Sequence, residues 1–167
     1  GNILIKQALD LFPNNNILFS KESEPLGTGG GIQNALELLG DEPFMLINAD
    51  VYHDIDLAAI NKIVKVAHLV GVKNPEHNPQ GDFSLDGDII SVRSGANDYT
   101  WSGISVINPS IFNKLIPQEM PFDIWNKVLK QFINNKEVSA EISDGIWIDT
   151  GTIDRLELAN KTHKDEN

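Results

Sequence analysis

A chain of 167 residues is long enough for one ordinary domain with its own core, and 41% apolar against 22% charged residues is a globular rather than a disordered balance. Acidic residues outnumber basic ones 24 to 13, a formal charge of −11, and the basic residues are scattered, which excludes nucleic acid and anionic membrane surfaces as expected partners. With no cysteine, disulfides and thiolate metal sites are excluded and a reducing cytoplasm is the simplest home.

The chain opens at Gly1 inside a helical pattern, with Ile3, Leu4, Ala8, Leu9 and Phe12 on one face and Asn2 as its only candidate cap. Behind the turn formers Pro13 to Asn16, "NILFSK" reads as a strand. Ile32, Ala35, Leu36 and Leu39 predict a helix over 28–39 that stops at Gly40. "PFMLIN" is a continuous apolar run, the form of a strand covered on both faces. Asp56 can cap a helix through about Val66, with Leu57, Ile60, Ile63 and Val64 facing inward.

"AHLVGVK" is the next strand, and "NPEHNPQG" is a loop by composition. "DFSLDGDIISV" alternates around Asp86-Gly87, which predicts a β-hairpin. "YTWSGISVIN" follows as a strand, then Pro109 and a short helix. Phe122, Trp125, Val128, Leu129, Phe132 and Ile133 make an amphipathic helix over 122–134. Short strands near 138–142 and 146–148 precede a last helix from Thr152. Strands alternating with helices in the first half favour an α/β sandwich with a mostly parallel sheet, and no linker divides the chain.

The chemistry concentrates in a glycine cluster and two aspartates. A dinucleotide fingerprint starting at Gly27 and Gly29 needs glycine at position 32, which is Ile32; a phosphate P-loop needs Lys-Ser/Thr after the glycines, and Ile, Gln and Asn follow Gly31. What remains is a cluster that lets backbone approach a flat ligand at a helix N-terminus, or a turn that needs positive φ. Asp50 and Asp149 each end an apolar strand, where open α/β sheets bind ligands, and the pair can meet over one Mg²⁺. Asp54 and Asp56 read as turn and cap residues. None of His53, His68, His77 and His163 has the spacing of a general base, and all four read as structural or exposed.

"PLGTGGGIQNAL", "INAD", "NPEHNPQGDF", "WSGISVI" and "GIWIDTGT", in this order, resemble the sugar-1-phosphate nucleotidyltransferases, most nearly the N-acetylmuramate-1-phosphate uridylyltransferase branch, with mannose-1-phosphate guanylyltransferase-like proteins beside it. The resemblance runs from about Leu18 to about Ala159. It implies a Rossmann-like, GT-A-like three-layer α/β sandwich with a mixed, mostly parallel sheet, and a single domain over 1–167. It also implies transfer of a nucleotidyl group from UTP or GTP to a sugar-1-phosphate, in cytoplasmic nucleotide-sugar and cell-wall precursor synthesis. Gly27, Thr28, Gly29 and Gly30 would then bind the nucleotide, and Asp50 and Asp149 would be the catalytic Mg²⁺ ligands. Asn48 would face the sugar phosphate, and Asp82 and Gly103 would line the sugar pocket.

Ala49 stands where the family usually has glycine. The family's Gly/Arg-rich triphosphate loop and Pro-Lys-Pro stretch do not occur in the sequence. Its layout places about sixty residues, including a central strand, ahead of Gly1, so the chain corresponds to the C-terminal two-thirds. That correspondence predicts no turnover by these residues alone, self-association through unpaired sheet edges, and Lys21 and Lys73 as first candidates for any phosphate grip. The rival expectations are a non-catalytic nucleotide-sugar-binding module and a GT-A-type glycosyltransferase, whose usual D-x-D spacing "NADVYHD" lacks.

Overall fold

The computed structural model describes residues 2–61, 63–113 and 119–165. Its centre is a six-stranded sheet in the order β1-β6-β3-β7-β5-β4, built from β1 (Phe44–Ile47), β3 (Ala67–Lys73), β4 (Ser84–Asp86), β5 (Ile89–Ser91), β6 (Tyr99–Ile107) and β7 (Val138–Ile142). β2 (Val51–His53) and β8 (Trp147–Asp149) form a separate antiparallel pair.

The α/β architecture agrees with the sequence reading, but the pairing sense differs. Of the five pairings in the large sheet, β3–β7 alone is parallel. β6 is the reason. It lies antiparallel between β1 and β3, separating strands that point the same way. The hairpin β4–β5 then adds two more antiparallel ladders at the far edge.

β3 is buried from Ala67 to Val72, which explains its unbroken apolar run. Its side chains alternate between two cores. Leu69 belongs to the larger one, with Ile107, Phe83 and Val138, under Ile32, Phe122, Val128 and Phe132 from the helical side. Val70 belongs to the smaller one, with Ile104, Val106 and Ile60. Burying a Val or Leu side chain contributes about 1.5–3 kcal/mol, so β3 anchors both layers.

The helices are α1 (Asn2–Leu11), α2 (Gly27–Leu39), α3 (Ser110–Asn113), α4 (Lys130–Asn134) and α5 (Ile153–Asp165). A π-helical turn, Trp125–Leu129, runs into α4 and completes the amphipathic segment expected over 122–134. α2 ends where predicted: Gly40, at φ 77°, donates its amide to the Leu36 carbonyl at 3.0 Å. Among the described residues no helix is long and apolar enough to cross a membrane.

Three expectations fail locally. The 16–21 segment forms no helix or strand and pairs with no strand among the described residues, and Leu18 is 61% exposed. Composition can favour a strand, but a ladder needs a neighbour. The helix through Val66 is replaced by a turn: Asp56 Oδ1 accepts from the Ala58 amide at 2.9 Å, and Asn61 Oδ1 accepts from the Ile63 amide at 3.0 Å. These side chains satisfy the backbone locally, and Ile63, expected inward, is 91% exposed. Finally, α1 forms, yet Ile3, Leu4, Leu9 and Phe12 remain exposed.

Candidate active site

Asn48, Asp50, Asp82, Gly103 and Asp149 all border one cleft of about 230 Å³. Two structural devices bring them there. The first is a bulge in β6. Leu69 faces Ser105 and Gly71 faces Trp101, so two extra residues of β6 are accommodated opposite Val70. Gly103 sits in that bulge at φ 79°, and its carbonyl accepts from the Asn48 amide at 2.9 Å. A Cβ there would lie 2.7 Å from Asn48 Nδ2, so glycine is required twice over, by conformation and by space.

The second device is the β2–β8 ladder. Asp50 lies in the turn between β1 and β2, and Asp149 closes β8 opposite Val51. The Thr150 amide donates to the Asp50 carbonyl at 2.7 Å, which locks the two acidic positions side by side.

Asp149 is the most heavily partnered group of the cleft. Its Oδ1 accepts from the Gly151 amide at 2.7 Å and from Arg155 Nη2 at 2.9 Å, while Arg155 Nε donates to its carbonyl at 2.9 Å. His77 Nε2 lies 3.5 Å from Oδ2. Partial burial pushes the carboxyl up, but the Gly151 hydrogen bond, Arg155 and His77 together outweigh that and hold it below its ordinary value.

The opposite wall is a hydrogen-bonded chain. Asp82 Oδ2 accepts from the Trp101 amide at 2.9 Å, and its Oδ1 accepts from Asn78 Nδ2 at 3.2 Å. Asn78 Nδ2 also donates to Thr100 Oγ1, which in turn donates to Asn74 Oδ1 at 3.0 Å. Asp82 therefore ties the 75–81 loop to β6 as well as bordering the cleft.

The glycine segment lies elsewhere. None of Gly27, Thr28, Gly29 and Gly30 borders the cleft. The amides of Gly29 and Gly30 donate to the Phe122 carbonyl at 3.0 and 3.3 Å, and Thr28 Oγ1 accepts from the Ile124 amide at 3.1 Å. A Cβ on Gly29 would overlap the Phe122 ring, and one on Gly30 would lie 2.6 Å from Met120 Sδ. Two of the backbone donors expected to meet a ligand, those of Gly29 and Gly30, are thus spent on the segment around Phe122.

Sequence reasoning passed over several residues of the cleft. His77, read as structural or exposed, borders it and stacks on Trp147 at 6.5 Å between ring centroids. Trp147 could have been found, since it alternates with Asp149 in "WID" and so shares its strand face. Arg155 gave no such signal, because only the start of α5 turns it back onto Asp149. Lys73 pairs with Asp144 at 3.1 Å, and neither Lys73 nor Lys21 reaches the cleft.

Comparison with known proteins gives no matching family model. The chain is 37% identical over 161 residues to the N-acetylmuramate alpha-1-phosphate uridylyltransferase of Neisseria meningitidis serogroup B, covering 86% of this chain and 65% of that protein. It is 29% identical over 152 residues to the mannose-1-phosphate guanyltransferase of Schizosaccharomyces pombe, covering 83% of this chain and 41% of that protein. The chain thus spans less than two thirds of either relative. A solved UDP-glucose pyrophosphorylase complexed with UDP-glucose shares the fold, with a TM-score of 0.71 at 14% identity over 98% of this chain and 72% of that one. The chain is thus similar in sequence to proteins named as an N-acetylmuramate-1-phosphate uridylyltransferase and a mannose-1-phosphate guanyltransferase, and similar in fold to a UDP-glucose pyrophosphorylase.

Proposed function

We propose that the chain supplies the metal and sugar-phosphate side of a nucleotidyltransferase that transfers a uridylyl or guanylyl group from UTP or GTP to a sugar-1-phosphate, releasing pyrophosphate. The observation that carries this reading is the convergence of Asn48, Asp50, Asp82, Gly103 and Asp149 on one cleft. Such a transfer needs no covalent protein intermediate; the protein aligns the reactants and balances charge on the transferring group.

Asp50 and Asp149 fit Mg²⁺. Both carboxylates belong to residues that border the same cleft, and the environment of Asp149 favours its ionised form. Mg²⁺ typically takes one or two carboxylates and completes its shell with phosphate oxygens and water, so two aspartates would suffice. When bound, the ion would neutralise phosphate charge as a Lewis acid. Asn48 and Gly103 border the sugar phosphate, with Asn48 offering its side-chain amide. The close packing of Gly27, Gly29 and Gly30 against Phe122 and Met120 supports a structural use of these glycines, and nucleotide contact by Gly27, Thr28, Gly29 and Gly30 does not follow from the cleft's geometry.

The test is ¹⁵N NMR of the chain with UDP-glucose or GDP-mannose. Mg²⁺-dependent shifts at the Asp50, Gly103 and Thr150 amides, lost in Asp50→Asn, are expected. No shift in the cleft at millimolar ligand rejects the reading. A non-catalytic binding role draws support from one observation: among the described residues, no lysine or arginine borders the cleft. The exposed β1 edge, where Ile47 is 41% exposed, also supports self-association, which sedimentation velocity would detect.

A further inference from the structure

The wall chain fixes which way the Asn78 amide faces. Asp82 and Thr100 have to be read together. A carboxylate oxygen only accepts, so the group 3.2 Å from Asp82 Oδ1 is the Asn78 nitrogen. The Thr100 hydroxyl spends its one proton on Asn74 Oδ1, so it accepts from that same nitrogen at 3.2 Å. Asn74 is oriented in turn, because its Nδ2 donates to the Asn97 carbonyl at 2.8 Å. Both protons of Asn78 Nδ2 are therefore committed, and the amide cannot flip without breaking the chain.

What Asn78 has left is Oδ1. Among the described residues, the buried side-chain atoms without a partner are His53 Nδ1 and Ser105 Oγ, so Asn78 Oδ1 keeps contact with solvent. The cleft is the open space that Asn78 borders. A rigid acceptor there discriminates by chemistry: a ligand donor gains a hydrogen bond, whereas a ligand acceptor or alkyl group meets an oxygen it cannot satisfy.

Resting on the nucleotidyltransferase reading, we infer that Asn78 determines sugar specificity, its Oδ1 accepting a hydrogen bond from a hydroxyl or amide N–H of the sugar-1-phosphate. The family resemblance implies Asp82 and Gly103 at the sugar, and Asn78 adds the group that reads a substituent. Asp82, Thr100 and Asn74 act through it as positioning residues.

The experiment titrates the full chain, with Mg²⁺, against whichever of α-D-glucose 1-phosphate and α-D-mannose 1-phosphate binds more tightly, and against its monodeoxy analogues. In the wild type one analogue should bind about five- to tenfold more weakly than its parent, the worth of one neutral hydrogen bond. In Asn78→Ala the same two ligands should bind within about twofold of each other. The Asn78 ¹³Cγ resonance should move with the parent and stay with that analogue, a readout that needs no variant. Equal binding of all analogues to the wild type overturns the proposal. So does discrimination that survives in a folded Asn78→Ala protein, or an Asn78 ¹³Cγ that ignores a ligand shifting Asp50 and Gly103. Those results leave the nucleotidyltransferase reading standing; failure of both parents to shift any cleft amide removes both.

Discussion

Ser105 lies in β6, fully buried between Leu46 and Leu69, and its hydroxyl has no partner among the described residues. An unpaired buried hydroxyl costs stability, so Ser105→Ala should raise the unfolding free energy by about 1 kcal/mol in urea titration. A loss of that size would mean the hydroxyl is satisfied. Gly103 answers in the opposite sense. Alanine there takes an unfavourable φ and crowds Asn48, so Gly103→Ala should cost about 1–3 kcal/mol and weaken Mg²⁺-dependent ligand binding. Asp149 links structure to pH. Its folded pKa lies below the ordinary value, so its contribution is complete above an unfolded aspartate pKa of about 3.9 and is lost as pH falls through the folded pKa. Arg155→Gln should therefore cost most near pH 6 and progressively less below about pH 4, in urea titrations repeated across that range. A penalty independent of pH would assign Arg155 to the Asp149 carbonyl alone.

At the level of elements, the start of α2 carries the clearest conflict between two uses of glycine. The close fit of Gly29 against Phe122 predicts that Gly29→Ala destabilises by about 1–3 kcal/mol and that Phe122→Leu recovers part of it. Thermal melts of the single and double variants measure the coupling, and strict additivity would break the packing account. The same comparison explains what could be read in advance. Ile32, Leu36 and Gly40 define α2 through local periodicity and a local stop signal. Gly87 gives the β4–β5 turn its positive φ, although the turn residues are Gly87 and Asp88, one step beyond the expected centre. The insertion of β6 between β1 and β3 depends instead on long-range pairing. Residues 16–21, 56–61 and 63–66 had the right apolar content, but their conformations were decided by absent ladder partners and by Asp56 and Asn61. Asp50, Asp82, Gly103 and Asp149 were legible as points, while Asn78 and Arg155 required knowing which segments return to meet them.

For the molecule as a whole, charge decides the expected activity. The chain carries −11, and the nearest guanidinium to the cleft, on Arg155, is committed to Asp149. Such a field disfavours approach of a triphosphate, and among the described residues neither lysine nor arginine borders the cleft to hold one. Alignment can lower a barrier by about 7–11 kcal/mol, and half of that is already several orders of magnitude in rate. The chain alone should therefore release pyrophosphate from UTP with N-acetylmuramate-1-phosphate, or from GTP with mannose-1-phosphate, at rates far below those of ordinary enzymes. Turnover of tens per second, abolished by Asp50→Ala, would show that the phosphates are gripped by residues of this chain after all.

The β2–β8 ladder, three residues long on each side, has a kinetic consequence. Segments held by so few backbone hydrogen bonds open more often than a core strand such as β3, and each opening separates Asp50 from Asp149. A ligand that bridges the two positions binds the closed form alone, so opening must wait for its release. The Thr150 amide, bonded to the Asp50 carbonyl, would then exchange its proton with solvent about a hundredfold more slowly at a ligand concentration one hundred times Kd. That one proton turns occupancy of the cleft into a clock, whether or not the chain ever completes a turnover.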